Sequence, residues 1–221
     1  MNTLGSFGVG DGAGGNGYLW VTDNGRVTSS SAIQIGSANS IGKLQIGAGA
    51  TPGVVDAPSV FLGGLGHASI VFDHAASDYV FGPRITGDGQ VSVLAGTTIL
   101  TAANTYTGTT TVEGGTLRLS GAGTLGDSGN RLVVSGGTVD LGGKNQTQSE
   151  VRLNDGTIQN GAISSSGFFY LQSGTVSASI QSTQNIEKTG SGSAILSGAN
   201  GTVQQAVTIQ DGTLAIRGSI A

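Results

Sequence analysis

One stretch of the chain holds the residue types that could carry acid–base or metal chemistry. His67 and His74 are the two histidines of the 221-residue chain, and Asp73, Asp78 and Arg84 lie close to them in sequence. Clustered carboxylates can bind calcium, and a nearby base can abstract a proton, as the reaction of a lyase requires. The cluster is thin, however, and two histidines seven positions apart on strands need not converge. We therefore interpret both histidines as surface residues and predict no catalytic or metal site.

A second candidate is the glycine-rich segment 8–17, which has the Gly and Asp content of calcium-binding nonapeptide repeats. Those sites need tandem copies whose Asp carboxylates stack on successive turns, and this segment offers one imperfect copy. Gly-x-Gly patterns are frequent in a chain with 41 glycines, and none of them opens a helix. They give no support for phosphate binding, and no cofactor is predicted.

The overall composition argues against several classes of function. The formal net charge is −4 and the nine Lys and Arg residues are scattered singly, so no basic stripe is present for nucleic acid or an anionic membrane. Cysteine is absent, which excludes disulfides and thiolate metal sites and is compatible with an exported protein. The sequence shows neither a signal peptide nor a long apolar run, so an export signal is expected outside this chain.

A glycine followed by Thr or Ser recurs along the chain and indicates a repeat. The glycines are Gly96, Gly115, Gly137, Gly156, Gly174, Gly192 and Gly212, with spacings of 19, 22, 19, 18, 18 and 20. The residue four positions before the Thr or Ser is apolar in six of the seven copies, and Thr189 is the exception. A period of this length is typical of a solenoid, and the alternation Leu117-Arg118-Leu119 is typical of half-buried strands.

These observations predict an all-β fold, namely a right-handed single-stranded parallel β-helix with one coil per repeat. Glycine at the turn before each strand supplies a positive φ without a Cβ clash. A mean repeat of about 19 residues predicts roughly 11 coils over the chain. We expect residues 1–221 to form a single β-helix fragment of a longer array, with less regular coils in 1–65 and repeat-like coils in 66–217.

Residues 96–119 also carry the order Gly-Thr, Asn-Thr-Tyr-x-Gly, Val and Gly-Gly-Thr-Leu, which resembles the passenger-associated transport repeat of autotransporters. A second copy begins at Lys188 and reaches Asn200, after which Gly201-Thr-Val replaces the expected Thr-Tyr-x-Gly. The chain is therefore similar to an autotransporter passenger domain of the AIDA-like adhesin type. The structural repeat positions predicted from the resemblance and the repeat are Asn104, Tyr106, Gly108, Gly115, Thr116, Leu117, Gly137, Gly156, Gly174, Asn200 and Gly212.

The resemblance implies a non-catalytic stalk at the bacterial cell surface or in the extracellular space, reached through the outer membrane. The parent protein is expected to carry a C-terminal outer-membrane β-barrel, and folding outside the cell is expected to bias export. Implied partners are host cell-surface or matrix proteins, or the chain itself, whereas nucleic acid is not expected. The alternative is a β-helical polysaccharide lyase or hydrolase, which requires carboxylates and a basic residue that converge in a lateral groove.

Asn104 and its counterpart Asn200 are interpreted as structural residues. A polar side chain at a recurrent turn can point inward and satisfy backbone groups of its own coil and the next one. The aromatic residues leave two interpretations open, since each could be a platform for ligand stacking or could pack over a coil end or corner. These residues are Trp20, Tyr106, Phe168, Phe169 and Tyr170.

Overall fold

The computed structural model describes residues 7–12, 14–65, 67–181, 184–200 and 206–220, without the side chains of residues 199, 200, 219 and 220. Over these residues the chain forms strands and no helix, so none of them belongs to a helix that could cross a membrane. The strands are β1 (Phe7–Val9), β2 (Asn16–Val21), β3 (Arg26–Thr28), β4 (Ile33–Ile35), β5 (Ile41–Ala50), β6 (Val54–Asp56), β7 (Ser59–Leu62), β8 (Ala68–His74), β9 (Tyr79–Phe81), β10 (Arg84–Gly87), β11 (Gln90–Ala95), β12 (Thr97–Leu100), β13 (Thr110–Val112), β14 (Thr116–Leu119), β15 (Arg131–Leu171), β16 (Gly174–Val176), β17 (Ser179–Ile180), β18 (Ile186–Lys188), β19 (Ser193–Leu196), β20 (Ala199–Asn200), β21 (Val207–Ile209), β22 (Thr213–Ile216) and β23 (Ser219–Ile220).

The strands stack in parallel from coil to coil in three main rows, beside the separate parallel pairs β3–β6 and β20–β23. Sheet A runs through β2, β5, β8, β11, β13, β15, β18 and β21. Sheet B includes β9, β12, β14, β15, β16, β19 and β22. Sheet C begins with β1, β4, β7 and β10. The predicted parallel β-solenoid is thereby confirmed.

The coil count is lower than predicted, at about 9 turns. In sheet A, Leu19 pairs with Leu44 and Leu44 with Ile70, which are steps of 25 and 26 residues. Later steps are shorter, for example the 19 residues from Val91 to Thr110. The prediction of 11 coils assumed that the short period of the later repeats holds over the whole chain. The coils of the N-terminal region have longer turns, so fewer coils fit.

The structure also corrects the alignment of one repeat. Thr175 pairs with Ile195, whereas spacing from the glycines matched it to Ser193. In sheet A the partner of Leu171 is Lys188, and Thr189, the polar exception in the sequence alignment, follows it. The turn between sheets A and B is longer in this coil than in the preceding one, and glycine anchors alone do not reveal that difference.

The core is a single narrow column of apolar side chains from all three sheets. Leu117 and Leu119 are buried while Arg118 between them points outward, as the alternation predicts. β15 remains extended through two coils because several of its corners are only one or two residues with positive φ, namely Gly142-Gly143, Gly156 and Asn160-Gly161. Such corners turn the chain without a loop, so the core continues without interruption from one coil to the next.

Candidate functional site

Asn104 lies inside the solenoid and joins three successive coils. Its side chain is 3% exposed. The Oδ1 atom accepts a hydrogen bond of 2.9 Å from the Ile85 backbone N–H in the preceding coil, and Nδ2 donates one of 3.0 Å to the Thr124 carbonyl in the next coil. The Thr124 hydroxyl donates in return to the Asn104 carbonyl at 2.8 Å. These bonds satisfy the Ile85 N–H of β10 and the Thr124 carbonyl from inside the solenoid, so Asn104 links its own coil to the coils before and after it.

Tyr106 is fully buried, so its ring is not available for stacking on a ligand. Its hydroxyl lies 2.6 Å from the Thr110 hydroxyl, which itself lies 3.4 Å from the Leu125 carbonyl. Burial raises the pKa of the Tyr106 hydroxyl above its ordinary value, so the group remains a neutral donor. The Tyr106 ring packs beneath Gly126, where a Cβ would lie 3.0 Å from Tyr106 Cζ.

The predicted repeat glycines serve two different physical needs. Gly115 has a φ of 62°, and a Cβ there would lie 2.3 Å from the Gly96 carbonyl oxygen of the coil below. Gly137 is not among the positive-φ residues, but a Cβ there would lie 2.6 Å from Val112 Cγ1. Close coil stacking, as well as turn conformation, therefore requires glycine. The other predicted glycines with positive φ are Gly156, Gly174 and Gly212, while a Cβ at Gly108 would lie 2.1 Å from the Gly89 oxygen.

Three further positions complete the predicted structural repeat positions. Thr116 is half-buried and pairs with Thr97 and Thr138, while Leu117 is fully buried between Thr98 and Val139. The backbone of Asn200 lies in β20, paired with β23, but its side chain is outside the described residues. The predicted equivalence of Asn200 with Asn104 therefore stays a prediction.

The prediction that both histidines lie on the surface is wrong for His74. His67 is exposed, but His74 is fully buried, with Nε2 2.9 Å from the Thr98 hydroxyl. Among the described residues, His74 Nδ1 has no hydrogen-bond partner. The pKa of His74 is lowered, primarily by desolvation, which outweighs the opposing effects of the Ala76 backbone and Asp73. His74 continues the inward alternation of Ile70 and Phe72 in β8, and two extra residues bulge from β5 opposite it.

The charged residues near His74 do not gather around it. Asp78 forms an ion pair of 2.8 Å with Arg118, both side chains being exposed. Arg84 donates to the Thr105 hydroxyl at 3.4 Å, and the nearest partner of Asp73 is Gln45, also at 3.4 Å. Over the residues that the structure describes, no three His, Cys, Asp or Glu side chains form a group that could hold a metal ion. The converging acid–base set of a lyase is not assembled by these residues.

Lys188 is a buried polar residue that the sequence reasoning missed. It is fully buried and occupies a position of sheet A between Leu171 and Ile209. Its ammonium donates to the carbonyls of Thr189, Gly190 and Asp211 at 2.8, 2.6 and 3.0 Å. The matched segment Lys-Thr-Gly was visible in the sequence, but the wrong register placed Thr189 at this position and left Lys188 unexamined.

The remaining aromatic candidates divide by strand alternation. Phe169 is fully buried, whereas Trp20 and Phe168 are 65% and 46% exposed. The Arg152 guanidinium carbon lies 4.3 Å from the centre of the Tyr170 ring, and Phe168 stacks against that ring at 5.4 Å. Phe169 is therefore a packing residue of the core. The rings of Trp20, Phe168 and Tyr170 lie on the solvent side of sheet A.

The fold and its interior define the class of protein as a parallel β-solenoid built from short repeats. The family model of the passenger-associated-transport-repeat matches residues 95–119 and 186–216. The chain is 31% identical over 141 residues to the adhesin BmaC autotransporter of Brucella suis biovar 1 (strain 1330), a match that covers 62% of this chain and 4% of that protein. Comparison with solved structures gave no significant match. The chain therefore carries passenger-associated-transport repeats and resembles an autotransporter passenger, of which it matches only a small part.

Proposed function

We propose that this chain is a non-catalytic stalk of an autotransporter passenger, displayed at the cell surface or released from it. The observation that carries the proposal is the continuous apolar column shared by the coils that match the transport repeat. Each coil buries its apolar residues only against its neighbours, so folding can proceed coil by coil as the chain emerges from the membrane. Folding outside the cell would then oppose backward movement and support export through a barrel in the parent protein.

A display experiment tests the export role. The parent protein is expressed in a Gram-negative host, and surface exposure is measured by protease accessibility and antibody binding on intact cells. Leu117→Asp interrupts the column at a fully buried position, whereas Arg118→Gln changes the adjacent outward residue. We expect strongly reduced display for Leu117→Asp and normal display for Arg118→Gln. Equal display of both variants would contradict a role for coil stacking in export.

Adhesion and self-association form the second part of the proposal. The relative matched over 62% of this chain is named an adhesin, which supports a contact role for this chain as well. Beads coated with the purified chain are tested for binding to host cells and matrix proteins, and sedimentation measures its self-association. Absence of both interactions would restrict the proposed function to display and export.

The non-catalytic part of the proposal is tested against acidic glycans. The chain is incubated with pectin and alginate, and the release of reducing or unsaturated ends is followed. No cleavage is expected, because Asp73, Asp78 and Arg84 contact different partners and His74 is enclosed in the core. Cleavage that is lost in Asp73→Ala would replace the stalk proposal with the lyase alternative.

A further inference from the structure

A cleft of about 640 Å³ lies on the outward side of sheet C, at the strands β4, β7 and β10. Phe61 lies in its wall, paired with Gln34 on one side and Thr86 on the other, and its side chain is 40% exposed. A Cβ at Gly63 would lie 3.0 Å from Phe61 Cε1, so glycine at that position keeps one edge of the ring open. Clefts of this size commonly hold small ligands.

Polar groups surround the aromatic ring. Thr105 and Thr107 of the next coil are exposed and line the cleft, and Gln34 contributes an amide. Asp88 lies in the turn after β10 and lines the cleft with a half-buried side chain. A carboxylate accepts hydrogen bonds and cannot donate them, so Asp88 offers an acceptor to the donor groups of a bound molecule.

A residue at the rim of the cleft has an unfavourable backbone conformation. Leu65 is 75% exposed and has a φ of 53°, in the left-handed region that disfavours a side chain with a Cβ. A second cleft of about 400 Å³ lies beyond it, since Ala38 and Leu65 line both. Asn16, Asn39 and His67 are among the residues of the second cleft. The two clefts together offer an extended path with an apolar ridge between polar walls.

We propose that these clefts bind a neutral glycan, with one sugar ring packed on Phe61 and its hydroxyls bonded to Asp88 and the adjacent threonines. The C–H face of a pyranose packs on an aromatic ring, and its hydroxyls can donate to the Asp88 carboxylate and bond the threonine hydroxyls. Among the residues that line the first cleft, Asp88 carries the one ionised side chain, so phosphate and acidic sugars are disfavoured. A peptide added as a strand would need a free edge, but β7 is paired on both sides.

The test uses the purified chain on an array of neutral and acidic oligosaccharides, followed by calorimetric titration of the best neutral oligosaccharide. Phe61→Ala should weaken binding about tenfold or more, since it removes the stacking surface. Asp88→Asn should also weaken it, because a neutral amide oxygen is a weaker acceptor than a carboxylate. Phe168→Ala is the matched control, an exposed phenylalanine on sheet A, and should leave the affinity unchanged. Thermal unfolding of every variant separates loss of binding from loss of fold.

Three results would overturn the proposal. These are no binding to any neutral glycan, binding that is insensitive to Phe61→Ala, and a preference for acidic glycans or basic peptides. The outcome is independent of the export role, because surface display of the Phe61→Ala variant should remain normal. If the chain binds no glycan but is displayed normally, only the glycan-site proposal is contradicted. If the chain binds glycan but display does not depend on coil stacking, only the proposed export role is contradicted.

Discussion

Replacing Asn104 by Ala tests whether a buried amide holds three coils together. The substitution removes the acceptor of the Ile85 N–H and the donor to the Thr124 carbonyl, which are bonded at 2.9 and 3.0 Å. A buried backbone group that loses its partner costs about 1–3 kcal/mol, so the two groups together cost about 2–6 kcal/mol. Because neighbours alone support a coil in a solenoid, we expect the loss to be concentrated in the coils around residue 104.

Native-state hydrogen exchange measures this loss at the bond itself. Protection of the Ile85 amide should fall by about 30-fold or more if at least 2 kcal/mol is lost. Thr124→Val removes only the reciprocal bond to the Asn104 carbonyl and should cost about 1 kcal/mol. Asn154→Ala is the control, because its amide bonds the Ser135 hydroxyl on the outer surface at 3.3 Å. Unchanged protection of Ile85 in Asn104→Ala, or an equal loss in Asn154→Ala, would refute the assignment of Asn104 as a bridge between coils.

Three other perturbations have defined outcomes. Leu117→Asp should destabilise the surrounding coils by several kcal/mol, about the cost of burying an unpaired charge. Arg118→Gln loses only an exposed ion pair worth about 0–1 kcal/mol. Equal shifts in the denaturant midpoint would show that the assignment of residue 117 as inward and residue 118 as outward is wrong. Lys188→Met leaves three carbonyls without a donor and should increase exchange in residues 206–220, so unchanged exchange would exclude an anchoring role. Because the folded pKa of His74 is below 6.5, its contribution to the free energy of unfolding should be constant above pH 6.5 and should fall as the pH decreases below that value. His74→Gln should flatten this fall, whereas His67→Gln should not. A fall that persists in His74→Gln would assign the pH dependence to other groups.

Much of the fold could be predicted from local patterns in the sequence. Alternation at residues 117–119 gave the inward and outward faces, and the spacing of Gly96, Gly115 and Gly137 gave the repeat. Both signals are local, since strand period and glycine conformation depend on a few adjacent residues. The transport-repeat pattern was predicted at residues 96–119 and the family model matches there.

Register, burial of polar groups and the cleft depended on contacts between coils. His74 and Lys188 follow the inward alternation of β8 and β18, but the Thr98 hydroxyl and the Asp211 carbonyl that they contact come from the next coil. Phe61 and Asp88 are 27 positions apart and line one cleft because their coils are stacked. The sequence by itself determined a stack of parallel strands with a period near 19, because side-chain alternation and glycine turns depend on residues that are adjacent in the sequence. Only the tertiary structure decided which residues meet across coils, because turn length sets the register and carries no periodic signal of its own.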